Sequence, residues 1–341
     1  MGREQLGRAM DMDADIDLSV GGGGASRPHC PLKITSPNRV EIAKLSDRPK
    51  RRIDAGQNRG KPEIEISKET KMKDVLGYEG KTVVMTGAAS GMGSAAAYLL
   101  ADLGAEVHAL DIGDVSAPVT QSIKTDMKNQ ASINAAIEKL PAKIDILLNC
   151  AGVPHPPASA LDTVLINFVG LRHLTDTLIP RIQEGGAIVS IASTAGMAYK
   201  SNLDTVRAFL SLPTFEDSQS YLEGQPDLKA DPYGFSKQCI IVYTQTLAGE
   251  LAKTGVRINC ISPSPTQSDF MTKLTKEIPE AAITPFFPSN GRFAESEEMG
   301  RALVMMGSDL ACFVSGVNLP VDFGYCAEVA MGQRDNLMNI T

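Results

Sequence analysis

From about Tyr78 onward the chain alternates short runs rich in Val, Ile and Leu with stretches of helical spacing. "KTVVMTG" (81–87), "EVHALD" (106–111), "IDILLNCAG" (144–152), "GAIVSIAS" (186–193) and "RINCISP" (257–263) are predicted strands. "GSAAAYLLADLG" (93–104), "SINAAIEKL" (132–140), 235–254 and 296–307 are predicted helices. Strands this apolar, each followed by a helix, are buried on both faces, which only a parallel sheet with helices on either side provides. The fold expected is therefore α/β: a doubly wound, Rossmann-type parallel sheet in a single domain. No period of 20 to 50 residues recurs, which excludes a solenoid or propeller.

The first strand runs into "TGAASGMG" (86–93), with glycines at 87, 91 and 93, and a helix follows at once. A glycine-rich turn in that setting lets backbone N–H groups, at Ser90, Gly91 and Met92 among others, and the helix N-terminus face a pyrophosphate. Such turns also arise for tight packing alone; the strand before and the helix after favour the dinucleotide. Asp111 closes the second strand 18 residues beyond Gly93. A carboxylate there would accept hydrogen bonds from an adenosine ribose and repel a 2′-phosphate, favouring NAD over NADP, unless it serves merely as a cap or a solvated charge. "TDM" (125–127) would set Asp126, with Met127, near the adenine.

"DPYGFSK" (231–237) puts Tyr233 and Lys237 four residues apart behind a proline suited to the first turn of a helix. On a helix the two share a face. Alone, they could be an ordinary amphipathic surface pair. As a catalytic pair, the ammonium would lower the phenol's ordinary pKa of about 10 and ready it to exchange a proton with an alcohol or ketone.

The remaining motifs make the sequence resemble the short-chain dehydrogenase/reductase family from about residue 78 to 332. "TGAASGMG" fits its TGxxxGxG, "NCAG" (149–152) its NNAG, and Tyr233 and Lys237 its YxxxK. "VLINFVG" (164–170) is similar to the helix carrying the family's catalytic Asn, and "IVSIAST" (188–194) to its Ser strand. The resemblance implies catalysis by Asn167, Ser193, Tyr233 and Lys237. Ser193 would bond the reacting oxygen, with Thr194 a competitor for that role, and Asn167 would fix a water leading to Lys237. It also implies coenzyme contacts from Asn149, Ala151 and Gly152, and from Pro263, Thr266 and Ser268 in "NCISPSPTQSDF" (259–270), where Ser264 replaces the usual Gly.

Ser193 and Tyr233 are 40 residues apart, against about a dozen in many relatives. An insert of about 197–230 is read as a lid of one or two short helices over the substrate mouth, or else as a surface elaboration that blocks or makes a subunit contact. Trimmed early loops with a long insert are similar to the bacterial 3α-hydroxysteroid dehydrogenase/carbonyl reductase branch. That likeness implies an NAD(H)-dependent alcohol dehydrogenase or carbonyl reductase acting on an apolar secondary alcohol or ketone, cyclic, steroid-like or aromatic. His155 in "GVPHPP" and Met271 in "SDFMTKL" are the added substrate candidates. A dinucleotide-binding redox sensor or scaffold is the alternative, and a dehydratase or epimerase on the same fold is a third reading.

Composition narrows the partners. The chain has 341 residues, a net charge of −7 and 43% hydrophobic residues, and no apolar run approaches a membrane span, so neither nucleic acid nor a bilayer is an expected partner. Residues 1–77 carry 15 Lys/Arg against 12 Asp/Glu, leaving 18 against 28 for the rest. With a Gly tetrad (21–24), the basic "RPKRR" (48–52) and few aromatics, residues 1–73 are expected to be mostly disordered, with a weak strand at 62–67. Residues 74–332 are expected to form the domain and 333–341 a C-terminal tail. The six cysteines, without a C-x-x-C pair, suggest reduced thiols in a cytoplasmic protein and no metal site. Helix pairing of the family kind implies a homo-oligomer, dimer or tetramer.

Overall fold

The computed structural model describes residues 75–225 and 231–340. The N-terminal extension with its basic cluster and weak strand, and the last residues of the insert, lie outside them. Seven strands form one parallel sheet: β1 (Thr82–Thr86), β2 (Glu106–Asp111), β3 (Gln121–Lys124), β4 (Ile144–Asn149), β5 (Ile182–Ile191), β6 (Arg257–Pro263) and, after a separate two-residue pair, β9 (Asn318–Val321). Their order is β3-β2-β1-β4-β5-β6-β9. The winding direction reverses between β1 and β4, which opens a crevice at the carboxyl ends of the central strands.

Helices cover both faces. One layer is α1 (Gly91–Asp102) with α9 (Ser296–Gly307), buried over Val83, Met85, Val107 and Leu148. Arg257, 8% exposed, holds the end of α9 by donating to the carbonyls of Met306, Gly307 and Ser308 at 3.0 to 3.1 Å. A cation on the last carbonyls of a helix satisfies acceptors that have no partner within it.

The other layer is α2 (Gln130–Ile137), then α3 (Ala160–Val164) and α4 (Gly170–Leu178) joined through a π-helical turn at Leu165–Val169, and α7 (Pro232–Leu251). Asn129 caps α2 by accepting the Ser132 N–H, and Asp231 caps α7 by accepting the Gly234 N–H at 2.8 Å, with Pro232 at the first helical position. The sequence pattern in the 160s reads as one continuous helix; the structure keeps it continuous to Leu178 but widens it locally at the π-turn that holds Asn167.

The insert forms a 3-10 stretch, Thr194–Asn202, then α5 (Leu203–Leu210) and α6 (Phe215–Glu223). Among the described residues, α5 and α6 do not line the cavity. Val206, Phe209, Phe215 and Leu222 are buried in the same core as α4 and α7, and the Phe209 ring meets those of Phe168, Tyr221 and Phe235 at 5.4 to 6.0 Å. The physical reason is area. Aromatic side chains spaced along two helices bury most by docking on the outer helix layer, not by bridging a water-filled opening. Of the described insert residues, only Ala198, Ser201 and Asn202, with the Thr194–Ala195 hinge, reach the crevice.

After β6, β7 (Thr266–Gln267) pairs in parallel with β8 (Ala294–Glu295), and between them lie α8 (Asp269–Glu277) and two single 3-10 turns. The chain closes with α10 (Tyr325–Ala330). Among the described residues no helix is long and apolar enough to cross a membrane.

Candidate active site

A cavity of about 830 Å³ occupies the crevice. Its coenzyme end is shaped by backbone that only glycine permits. Gly87 has φ +72°, and a Cβ there would come within 2.5 Å of the Ala151 nitrogen; a Cβ at Gly93 would collide with the Gly87 carbonyl. With Gly91 at φ +56°, the turn clears a path to the N-terminus of α1, whose backbone N–H groups suit a phosphate. Thr86 Oγ1 accepts the N–H groups of both Cys150 and Ala151 at 3.1 Å, tying the turn after β4 to β1. Ser268, the N-cap of α8, comes within 3.3 Å of where a Gly91 Cβ would stand and so closes the turn from the opposite side.

Asp111 ends β2 at the cavity wall. Its two oxygens accept the N–H groups of Ala89 (2.8 Å) and Gly113 (2.7 Å), which orient the carboxylate beside the glycine-rich turn. A nicotinamide dinucleotide fits this donor set: bare N–H groups for its phosphates and a fixed anion for its ribose hydroxyls. Asp126, Met127, Ala151, Gly152, Pro263, Thr266 and Ser268 line the same cavity, as do Ser90, Gly91 and Met92.

The chemical end gathers Ser193, Tyr233 and Lys237. Ser193 leaves β5 in extended backbone, and its Oγ accepts the Ala195 N–H at 3.2 Å. Burial pushes the Tyr233 phenol up to about 12, the nearby Ser193 hydroxyl offsetting part of the rise and the Asp231 charge adding to it. Lys237, only 4% exposed, donates from Nζ to the Ile191 carbonyl at 2.8 Å, and burial brings its pKa down to about 8. The expected lowering of the phenol by its lysine neighbour is thus corrected. In the protein alone, desolvation dominates both groups and favours their neutral forms.

Three residues read as site groups stand off the cavity wall. Asn149, 1% exposed, turns into the core and donates to Thr175 (3.0 Å) and Ser190 (3.2 Å), because side chains alternate across β4 and its last residue faces the α4 layer. His155 turns back on its own loop, Nδ1 lying 2.8 Å from the Ala158 carbonyl. Asn167, fully buried, accepts the Val153 N–H (2.8 Å) and donates to the Val153 carbonyl (3.0 Å) and to Ser236 Oγ (3.3 Å). It braces the loop after β4. A Cβ at Gly152 would meet Asn167 Oδ1 at 3.3 Å and Lys237 Nζ at 3.8 Å, so the two approach one point without touching. Met271 does line the cavity.

Sequence reasoning passed over other wall residues. The Phe270 ring lies 5.6 Å from that of Tyr233, tilted by 56°. Ile283 and Phe286, and the tail residues Leu337, Met338 and Asn339, close the same space. Phe270 was available as the apolar neighbour of Met271 at the start of a helix; the tail carries no local signal.

Comparison with known proteins agrees with this geometry. A short chain dehydrogenase family model matches residues 81–204, and an Enoyl-(Acyl carrier protein) reductase model of the same broad group matches 218–326. The coniferyl-alcohol dehydrogenase of Pseudomonas sp. (strain HR199) is 32% identical over 249 residues, covering 72% of this chain and 96% of that one. The chain belongs to the short-chain dehydrogenase/reductase family. Among its relatives is the 3-alpha-hydroxysteroid dehydrogenase/carbonyl reductase of Comamonas testosteroni, 26% identical over 71% of this chain and 95% of that one. The solved 3-alpha-hydroxysteroid dehydrogenase of Pseudomonas sp. B-0831, complexed with NADH, superposes with a TM-score of 0.63 at 25% identity, covering 75% of this chain and all of that one. The family is one of oxidoreductases that use a nicotinamide dinucleotide, and several relatives are alcohol dehydrogenases.

Proposed function

We propose that the protein is an NAD(H)-dependent dehydrogenase that interconverts an apolar secondary alcohol, cyclic, steroid-like or aromatic, with its ketone. The observation that carries the reading is the Tyr233 phenol in the same cavity as Ser193 and followed one turn later by Lys237, with that cavity continuous with the glycine-rich turn. Bound nicotinamide dinucleotide would supply or accept the hydride. In ketone reduction the Tyr233 phenol gives its proton to the carbonyl oxygen, and in alcohol oxidation the Tyr233 oxygen receives the hydroxyl proton. Ser193 Oγ bonds the same oxygen and steadies its developing charge. Lys237 stands one helical turn beyond Tyr233, with its Nζ held on the Ile191 carbonyl.

NAD is preferred to NADP in this reading because the Asp111 carboxylate is fixed at the ribose end, where a 2′-phosphate would meet it. The apolar substrate follows from Phe270 beside Tyr233 and from Met271 and Phe286 on the wall of the same cavity. Self-association is also proposed, through a surface other than the outer faces of α4 and α7 that α5 and α6 occupy; sedimentation would measure it. A panel of secondary alcohols and ketones, followed by absorbance of the reduced coenzyme with NAD and NADP, tests the function. Turnover abolished by Tyr233→Phe with coenzyme binding intact supports it. Coenzyme binding without turnover on any panel member would favour the scaffold reading.

A further inference from the structure

The cavity has a wall that proton and hydride transfer leave unused, and it is made from the end of the chain. Leu337, Met338 and Asn339 line it, yet they follow α10 by several residues and belong to no helix or strand. Arg334 anchors the segment through three contacts, two on α10 and one on the loop beyond α8. Its Nε pairs with Glu328 of α10 at 3.0 Å, both side chains being about a quarter exposed. Its guanidinium lies 4.9 Å from the centre of the Tyr325 ring, and it donates to the carbonyl of Phe287 beyond α8. A planar guanidinium can stack and pair at once, which an ammonium cannot.

Beyond the anchor, Asn336 folds the chain back. Its side chain donates to the Ile340 carbonyl at 2.9 Å and accepts the Ile340 N–H at 2.7 Å, while Asn339 takes φ +51°, a conformation that Asn tolerates better than most residues. Met338 and Ile340 then pack, with Phe286 and Met197, on the buried cluster of Tyr325, Cys326 and Val329. Leu337 remains 56% exposed at the opening.

We infer that residues 334–340 are the substrate-selecting wall of the active-site cavity, held there by Arg334, and that they favour alcohols and ketones whose apolar body extends from Tyr233 past Phe270 to Met338. The inference rests on the dehydrogenase reading above. Binding gained from an apolar wall grows with the area covered, so a one-ring alcohol that ends near Phe270 gains little from it and a fused-ring alcohol gains more. Arg334 touches neither and acts by placing the wall.

The test compares cyclohexanol with decahydro-2-naphthol in the full-length enzyme, its Arg334→Ala and Arg334→Lys variants and a chain ending at Gln333. Losing contact with two ring methylenes predicts that KM for the fused-ring alcohol rises about tenfold in Arg334→Ala and in the truncated chain, with kcat changed less than about threefold. Arg334→Lys recovers part of the loss, and the cyclohexanol constants move less than about threefold. Equal losses for both alcohols, or an unchanged KM for the larger one, would overturn the inference. Hydrogen exchange keeps it separable from the dehydrogenase reading: adding decahydro-2-naphthalenone to the NADH-loaded protein slows exchange at 334–340 if the tail is the wall, whether or not turnover occurs. Exchange that does not change while NADH fluorescence reports ketone binding would also sink it.

Discussion

Lys237 lies one helical turn beyond Tyr233, its Nζ 5.6 Å from the centre of the phenol ring and 2.8 Å from the Ile191 carbonyl that accepts its hydrogen bond. The amine is held against backbone, near the phenol but not bonded to it. Burial then works on the two groups in opposite directions, raising the tyrosine and lowering the lysine. The protein thus keeps a proton on the phenol and holds an ammonium where it is expensive to bury.

That expense predicts a more stable variant. Lys237 titrates near 8 in the folded chain, below its unfolded value of about 10.4. The unfolded chain therefore holds the extra proton between these values. Stability rises with pH across that window, and the full cost is present below pH 8. Lys237→Met should gain about 1 to 3 kcal/mol at pH 7, the upper end being the whole shift and the lower end allowing for the lost Ile191 bond. Thermal unfolding should show a higher Tm at pH 7 and a shrinking advantage toward pH 10, with dehydrogenase activity reduced.

A raised phenol predicts different pH dependences for the two directions. Below its pKa, each pH unit multiplies the ionised form about tenfold. Initial rates of alcohol oxidation should therefore climb with pH from 6 upward until the coenzyme-bound enzyme reaches its own pKa. Ketone reduction, which uses the protonated phenol, should stay flat over the same range. Parallel profiles in both directions would point to a different proton carrier.

At the coenzyme end, Asp111→Asn removes the charge while leaving an oxygen for the Ala89 or Gly113 N–H. Hydrogen bonds to a charged group contribute about 1.5 to 3 kcal/mol, so NADH should bind roughly ten- to a hundredfold more weakly. NADPH binding should weaken less or improve. Fluorescence titration of both reduced coenzymes measures the change in preference.

Phe209, fully buried among three aromatic rings, tests what the insert does. Phe209→Ala should cost about 3 to 5 kcal/mol in denaturant unfolding. The fraction that stays folded should keep its KM, because α5 and α6 stand apart from the cavity. A large KM change at unchanged stability would restore the lid.

These contrasts show what the sequence could carry. The glycine-rich turn, Asp111 at the end of β2, and the Tyr233 and Lys237 pair were legible because each depends on local geometry: a forced φ at Gly87, a strand end, one turn of α7. Asn149 sat in a motif that named its position but not which face of β4 it would take. The pattern around Asn167 reads as a regular helix, whereas the structure sets it in a π-turn where it braces Val153. The insert's aromatics were visible, but their destination on Phe168 and Phe235 depends on a helix layer assembled from distant segments. The tail was silent, since Arg334 acquires meaning only when Glu328, Tyr325 and Phe287 are brought around it.

Single-turnover ketone reduction by the NADH-loaded Tyr233→Phe variant is the most direct test. The ring, its contact with Phe270 and the coenzyme end remain, and only the hydroxyl is lost. The chemical step should slow by about a hundred- to ten-thousandfold while NADH affinity stays within about twofold. A variant that reduces ketones at the wild-type rate would show that the proton comes from elsewhere.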